Sequence, residues 1–213
     1  MPLHSQFQLV SLKPLAEQLL LGCPNRIGKP SVGIFMPGEA TRAKLAFFAP
    51  VRLYVSRNNP GASAVATRLR DGMVGLSVTD QRPRQLLDGD TGMADVIGQL
   101  GQLLTAGGNL LGVGGVADEL EPTHMLLYLN DFTFVGEEGK ALAVELRAAR
   151  AAGFPVLMLH ENDEAVGGCE FSRFFETTPH DLIVDGLYKA LALALFPGPF
   201  WPVSVVLVAQ QAL

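Results

Sequence analysis

Glu145 is the residue of this chain whose type and surroundings point first to chemistry. It lies mid-way through Glu137 to Ala152, a run rich in Ala, Leu, Glu, Arg and Lys, all strong helix formers. On such a helix Leu142, Leu146 and Ala149 recur at i, i+4 and i+7 and define the apolar stripe. Glu145 falls beside that stripe, where a carboxylate is partly desolvated and demands a partner. Arg147, two residues on, does not share its face. Glu145 is therefore either a boundary group paired with a neighbouring strand or loop, or a functional carboxylate.

Other chemistry-bearing groups carry weaker patterns. Gly107, Gly108, Gly112, Gly114 and Gly115 could cradle phosphate through backbone N–H groups, but neither GxGxxG after a strand nor GxxxxGK[ST] is present. A plain loop fits that stretch better. His160-Glu161-Asn162-Asp163-Glu164 offers hard ligands without HExxH spacing and reads as a solvated acidic loop. His4, His124 and His180 show no ligand spacing. There is no GxSxG, and no cysteine stands beside a histidine. Cys23 and Cys169, far apart, read as two idle thiols, and no metal site is expected.

The elements that must position Glu145 are legible around it. Met125 to Leu129 is a short apolar run, as expected of a parallel strand covered on both faces. Gly153 stops the helix at C′, and Phe154 to His160 is apolar again. Strand, helix, strand in this order is a right-handed β-α-β crossover. Sites in open α/β sheets lie at the carboxyl ends of the strands, which puts Asn130, Asp131 and the 130–137 loop on the functional edge.

The same alternation runs through the chain from Val51. Val51 to Ser56 reads as a strand, Asn58-Asn59-Pro60-Gly61 as a turn, Ala62 to Asp71 as a helix ended by Gly72, and Met73 to Val78 as a strand. A polar loop over Thr79 to Gly92, a helix over Met93 to Thr105 and a glycine-rich linker over Gly107 to Pro122 follow. Further on, Glu170 to Phe175 is a short strand or helix, Thr178 to Leu195 a helix and Ser204 to Ala209 a final strand. Fold class is thus α/β: a doubly wound, mainly parallel flavodoxin-like sheet with helices on both faces.

Residues 1–50 read as an N-terminal extension, or the tail of a preceding domain, before an α/β domain over 51–213. Five prolines, with Pro50 at the boundary as a sixth, break them into pieces: Leu15 to Leu21 a two-turn helix, Val32 to Met36 a strand, Thr41 to Phe48 either. At 213 residues, 48% hydrophobic and 17% charged, the chain is core-rich rather than disordered. Its net charge of -5 and sixteen scattered basic residues lack the footprint of nucleic-acid binding. No apolar stretch reaches bilayer-spanning length, and the start has no secretory pattern, so a cytoplasmic location is the default.

Three stretches resemble the TIR family (the Toll/interleukin-1 receptor type of flavodoxin-like domain) over roughly residues 51–195. VRLYVSRNN resembles its first strand and following loop. MLLYLNDFTFVGEEGKALAVELRAARAAGFPVLMLHE resembles its third strand, third helix and fourth strand, with Glu145-Leu146 at the family's mid-helix Glu-Leu pair. HDLIVDGLYKALALAL resembles its closing helix, and GCEFSRFF resembles the piece seen in divergent TIR-like domains of protists and algae. Lys140-Ala141-Leu142 replaces the family's aromatic-small pair ahead of the glutamate, and Asn58 and Asn59 replace its acidic residue.

The resemblance implies one of two uses. Some members associate with themselves or with other protein chains as signalling scaffolds and require no cofactor. Others cleave NAD, as substrate, at the nicotinamide–ribose bond. For this second group the resemblance makes Glu145 the catalytic carboxylate and sets Ser56, Arg57, Asn130 and Asp131 near the nucleotide. A carboxylate can stabilise an oxocarbenium-like ribosyl centre. A third reading, a small-molecule binder without turnover, follows from the flavodoxin-like pattern alone. The hydrolase needs Glu145 facing an open cleft; the scaffold expects that cleft closed, by Phe132 or Phe134.

Overall fold

A computed structural model of the chain describes residues 13–21, 45–86 and 121–211. The expected strand at Val32 to Met36, helix at Met93 to Thr105, and most of the glycine-rich linker lie outside the described residues, as does Cys23.

Among the described residues the chain runs α1 (Lys13–Leu21), β1 (Leu45–Val55), α2 (Ala62–Gly72), β2 (Met73–Thr79), β3 (His124–Leu129), α3 (Gly136–Ala151), β4 (Val156–Glu161), α4 (Ser172–Thr177), α5 (His180–Val184), β5 (Leu193–Leu195) and α6 (Trp201–Gln211). The strands form one sheet in the order β2-β1-β3-β4-β5, every neighbouring pair parallel. This is the flavodoxin-like α/β order. β1 begins six residues before the expected boundary at 51 and carries Pro50 within it. Its register on β2 shifts between Ala46 and Val51, so the strand accommodates the proline at an irregularity in the ladder.

Both faces of the sheet are covered, which is why the strand sequences are almost wholly apolar. On one face Ala62, Ala66 and Leu69 of α2 and Val205, Val208 and Ala209 of α6 pack on Leu53, Val55, Leu126, Tyr128, Leu157 and Leu159. Arg68 lies over the Trp201 ring at 3.6 Å and ties the two helices together. On the other face Leu142, Leu146 and Ala149 of α3, with Phe174, Leu182 and Leu187, pack on Tyr54, Met125, Leu127, Leu129 and Met158. Each such leucine, fully buried, contributes about 1.5–3 kcal/mol. The split follows from right-handed crossovers: β1 to β2 moves one way along the sheet, β3 to β4 and β4 to β5 the other.

Two expectations are corrected. Thr178 to Leu195 is not one helix. Gly186 adopts φ 84, the left-handed region that ends a helix, and Leu193–Leu195 becomes the fifth strand, pairing Leu159 with Leu193 and Glu161 with Leu195. The resemblance to a single closing helix therefore does not hold in this stretch. Ser204 to Ala209, rich in valine, is not a strand but the middle of α6. Its buried residues Val205, Val208 and Ala209 fall at helical spacing, and packing overrides β propensity. Glu170 to Phe175 resolves toward helix, as α4.

Candidate functional site

The switch point of the sheet lies between β1 and β3, where successive connections leave in opposite directions. Two loops meet at its carboxyl end: Ser56 to Gly61 after β1 and Asn130 to Val135 after β3. Each is built by its own side chains. In the first, the Ser56 hydroxyl accepts from the Asn58 N–H at 3.0 Å, and Gly61 takes φ 81, where a Cβ would meet the Tyr128 ring at 2.8 Å. In the second, Asn130 Oδ1 accepts from the Phe132 N–H at 3.0 Å and the Thr133 hydroxyl at 3.1 Å. Phe134 follows at φ 64, and Gly139 has no Cβ because the Phe134 backbone stands 2.1 Å from where one would be.

Asn59 closes the crevice between them. Its Nδ2 donates to the Tyr128 carbonyl and its Oδ1 accepts from the Tyr128 N–H, both at 2.8 Å, so one side chain continues the pairing of β3 where β1 has turned away. The Asn130 Nδ2 donates to the Pro60 carbonyl at 2.8 Å and ties the two loops. Asn59 and Asn130 are both buried. The crevice is thus filled by amide side chains, not by Phe132 or Phe134. Phe134 belongs to the core, and Phe132 stands 56% exposed.

Glu145 sits on the α3 side of this edge and is 4% exposed. Three segments converge on it. Its Oε2 accepts from the Tyr54 hydroxyl of β1 at 2.8 Å, and its Oε1 from Asn58 Nδ2 at 2.7 Å and Arg82 Nη2 at 3.1 Å. Burial raises the Tyr54 phenol to about 12, with Glu145 adding to the effect. Burial works against the Arg82 guanidinium, but Tyr54 and Glu145 outweigh it and hold the group above its ordinary value. No described buried side-chain polar atom lacks a partner.

The sequence-expected residues fall along one edge, but they do not converge. Ser56 reaches Glu145 only through Asn58. Arg57 pairs with Asp80 at 2.5 Å, and that contact lowers the Asp80 carboxyl. Asn130 staples its own loop, and Asp131 forms an exposed pair with Arg173 at 3.1 Å. The groups that do meet Glu145 are Tyr54, Asn58 and Arg82, none of which the sequence singled out. Tyr54 was the findable one, since it alternates with Leu53 and Val55 and so faces the helix carrying Glu145.

A second buried carboxylate corrects the reading of 160–164 as a solvated loop. Glu161 is buried, accepting from the Tyr128 hydroxyl at 2.7 Å and the Asp163 N–H at 2.8 Å. Burial first, and then Glu161, push the Tyr128 phenol well above its usual value. The His160 ring nitrogen meets the Cys169 carbonyl at 2.7 Å. Burial, with the nearby Asp131 charge, raises the Cys169 thiol, which disfavours the thiolate a nucleophile needs. Among the described residues no three His, Cys, Asp or Glu side chains gather as a metal site.

Glu145 Oε1 has both acceptor positions filled, and Oε2 keeps one free. A ligand hydroxyl would have to enter past Arg82, whose side chain is 37% exposed. Comparison with protein-family models, with curated proteins and with solved structures finds no match.

Proposed function

We propose that this chain is a TIR-like module that acts by associating with other protein chains, its own copies included, through the carboxyl edge of its sheet. The filled switch point carries the reading: Asn59 and Asn130 occupy the crevice in which a flavodoxin-like domain would take a ligand. The second of these loops holds Phe132 and Val135 exposed at the surface, and Val166, in the turn after β4, is exposed as well. Exposed aromatic and aliphatic side chains on a rigid frame are what protein interfaces use as anchors. In this reading Glu145 is the strut that holds the loop after β2 and the turn after β1 against α3.

A second reading is supported by one observation, the Arg82 guanidinium beside a mid-helix carboxylate at the strand ends. There Glu145 would be the catalytic carboxylate of an NAD glycohydrolase, with Arg82 giving way to the substrate. Two measurements on one preparation separate the readings: light scattering over a concentration series, and nicotinamide release from NAD by wild type and Glu145→Gln. Association without release supports the scaffold. Release that the variant abolishes, from a protein that stays monomeric, overturns it.

A further inference from the structure

We infer that residues 196–200, Phe-Pro-Gly-Pro-Phe after β5, form a wedge that seats two phenyl rings in the surface of a phospholipid bilayer. The inference is independent of the association reading above and concerns a different loop.

The wedge is shaped by one hydroxyl and two prolines. Phe196 follows the carboxyl end of β5, and Phe200 stands just before α6. The buried Ser204 hydroxyl accepts from the Phe196 N–H at 3.1 Å and donates to the Phe200 carbonyl at 3.4 Å. Gly198 turns the chain between them at φ 64, and the Trp201 N–H closes on the Gly198 carbonyl. All five residues are exposed, Phe196 to 46% and Phe200 to 51%. Two apolar rings thus stand in solvent on a fixed turn.

The turn lacks what a protein partner reads and has what a lipid surface requires. From Ala190 to Leu213 the sequence holds no charged residue. Specific protein interfaces carry about one hydrogen bond per 100–200 Å². Here Pro197 and Pro199 have no N–H, and the N–H groups of Phe196 and Trp201 are bonded inside the turn. Few backbone donors are left to desolvate, which is the condition for entering an apolar layer. Trp201 comes next, half-buried at the base of the wedge, and tryptophan favours the headgroup level of a bilayer. Arg68 lies over its ring at 3.6 Å, is exposed and makes no ion pair among the described residues. Its guanidinium therefore complements a lipid phosphate beside the wedge. A net charge of -5 works against an anionic membrane, so zwitterionic phosphatidylcholine is the surface that fits.

Trp201 is the only tryptophan of the chain, so its emission reports the contact directly. The test adds phosphatidylcholine vesicles, with and without bromine on the acyl chains, to the full chain and to the double variant Phe196→Ser, Phe200→Ser. Both positions are exposed, so a melting temperature near wild type is expected. Wild type should float with the vesicles, its emission shifting to the blue and quenched by the brominated chains. The variant should partition at least about tenfold more weakly and escape quenching. No flotation, or flotation that the variant keeps, overturns the wedge. Binding that appears only with added phosphatidylserine overturns it too, because this turn offers a single cation. Wild type that ignores vesicles but self-associates, with a variant that does neither, makes the turn a protein contact and overturns the lipid surface.

Discussion

The Tyr54 hydroxyl donates to Glu145 over 2.8 Å, linking β1 to α3 across 91 residues of chain. Asn58 and Arg82 fill the Oε1 acceptor positions of that carboxylate, so the strand, the turn after it and the loop after β2 are held to one helix by one side chain.

Glu145→Ala should therefore destabilise the fold. It strands the Tyr54 hydroxyl in a buried site and leaves a half-buried guanidinium without its counter-ion. A cost of about 2–3 kcal/mol is expected, reduced from that of a fully buried pair because Arg82 reaches solvent. Tyr54→Phe should cost about 1 kcal/mol. Urea unfolding measures both, and the double variant should cost less than the sum.

All three tyrosines of the chain stand above their ordinary value of 10, burial being the first cause in each: Tyr54 and Tyr188 rise to about 12, Tyr128 further. In the unfolded chain they titrate near 10 and release protons first. The stability they contribute is whole below pH 10 and is lost as pH rises toward 12. Phenolate absorbance should thus stay low just above pH 10 and appear together with loss of circular dichroism. Three phenols titrating near 10 in a still-folded protein would contradict the packing described.

Asn59→Ala should cost about 2–3 kcal/mol, since it removes the partner of both the buried N–H and the buried carbonyl of Tyr128. Hydrogen exchange offers a local readout. The Tyr128 amide, protected in wild type, should exchange much faster in the variant while the Leu126 amide changes little.

Gly139→Ala tests the loop that carries Phe132. The added methyl would collide with the Phe134 backbone, and backbone in a positive-φ turn cannot step aside as a flexible side chain would. A loss of about 3 kcal/mol or more is expected in thermal or urea unfolding. Wild-type stability would mean that the 130–137 loop is free to move.

The strand-helix-strand unit around Glu145 was legible in the sequence because length, apolar runs and Gly153 all agree there, and Gly153 does take φ 65. Leu193–Leu195 and Ser204 to Ala209 were not. A run such as LALAL or VSVVLVA suits either element, and only the pairing of β5 with β4 and the packing of α6 decide between them. The candidate site divides the same way. Glu145 stands out as a carboxylate beside an apolar stripe, whereas Arg82, in a polar loop 63 residues away, has no local pattern that announces it. Asn59, inside a turn signal, looked like a turn former and is the surrogate partner of a strand.

The face of the sheet covered by α2 and α6 has a consequence for biosynthesis. β1 leaves the ribosome about 150 residues before Val205, Val208 and Ala209, which cover part of the same core. At ordinary elongation rates that is roughly 8–30 s during which Leu53 and Val55 lack part of their cover. The nascent chain displays an open apolar sheet for that interval, and a chaperone that holds such surfaces has its longest opportunity there.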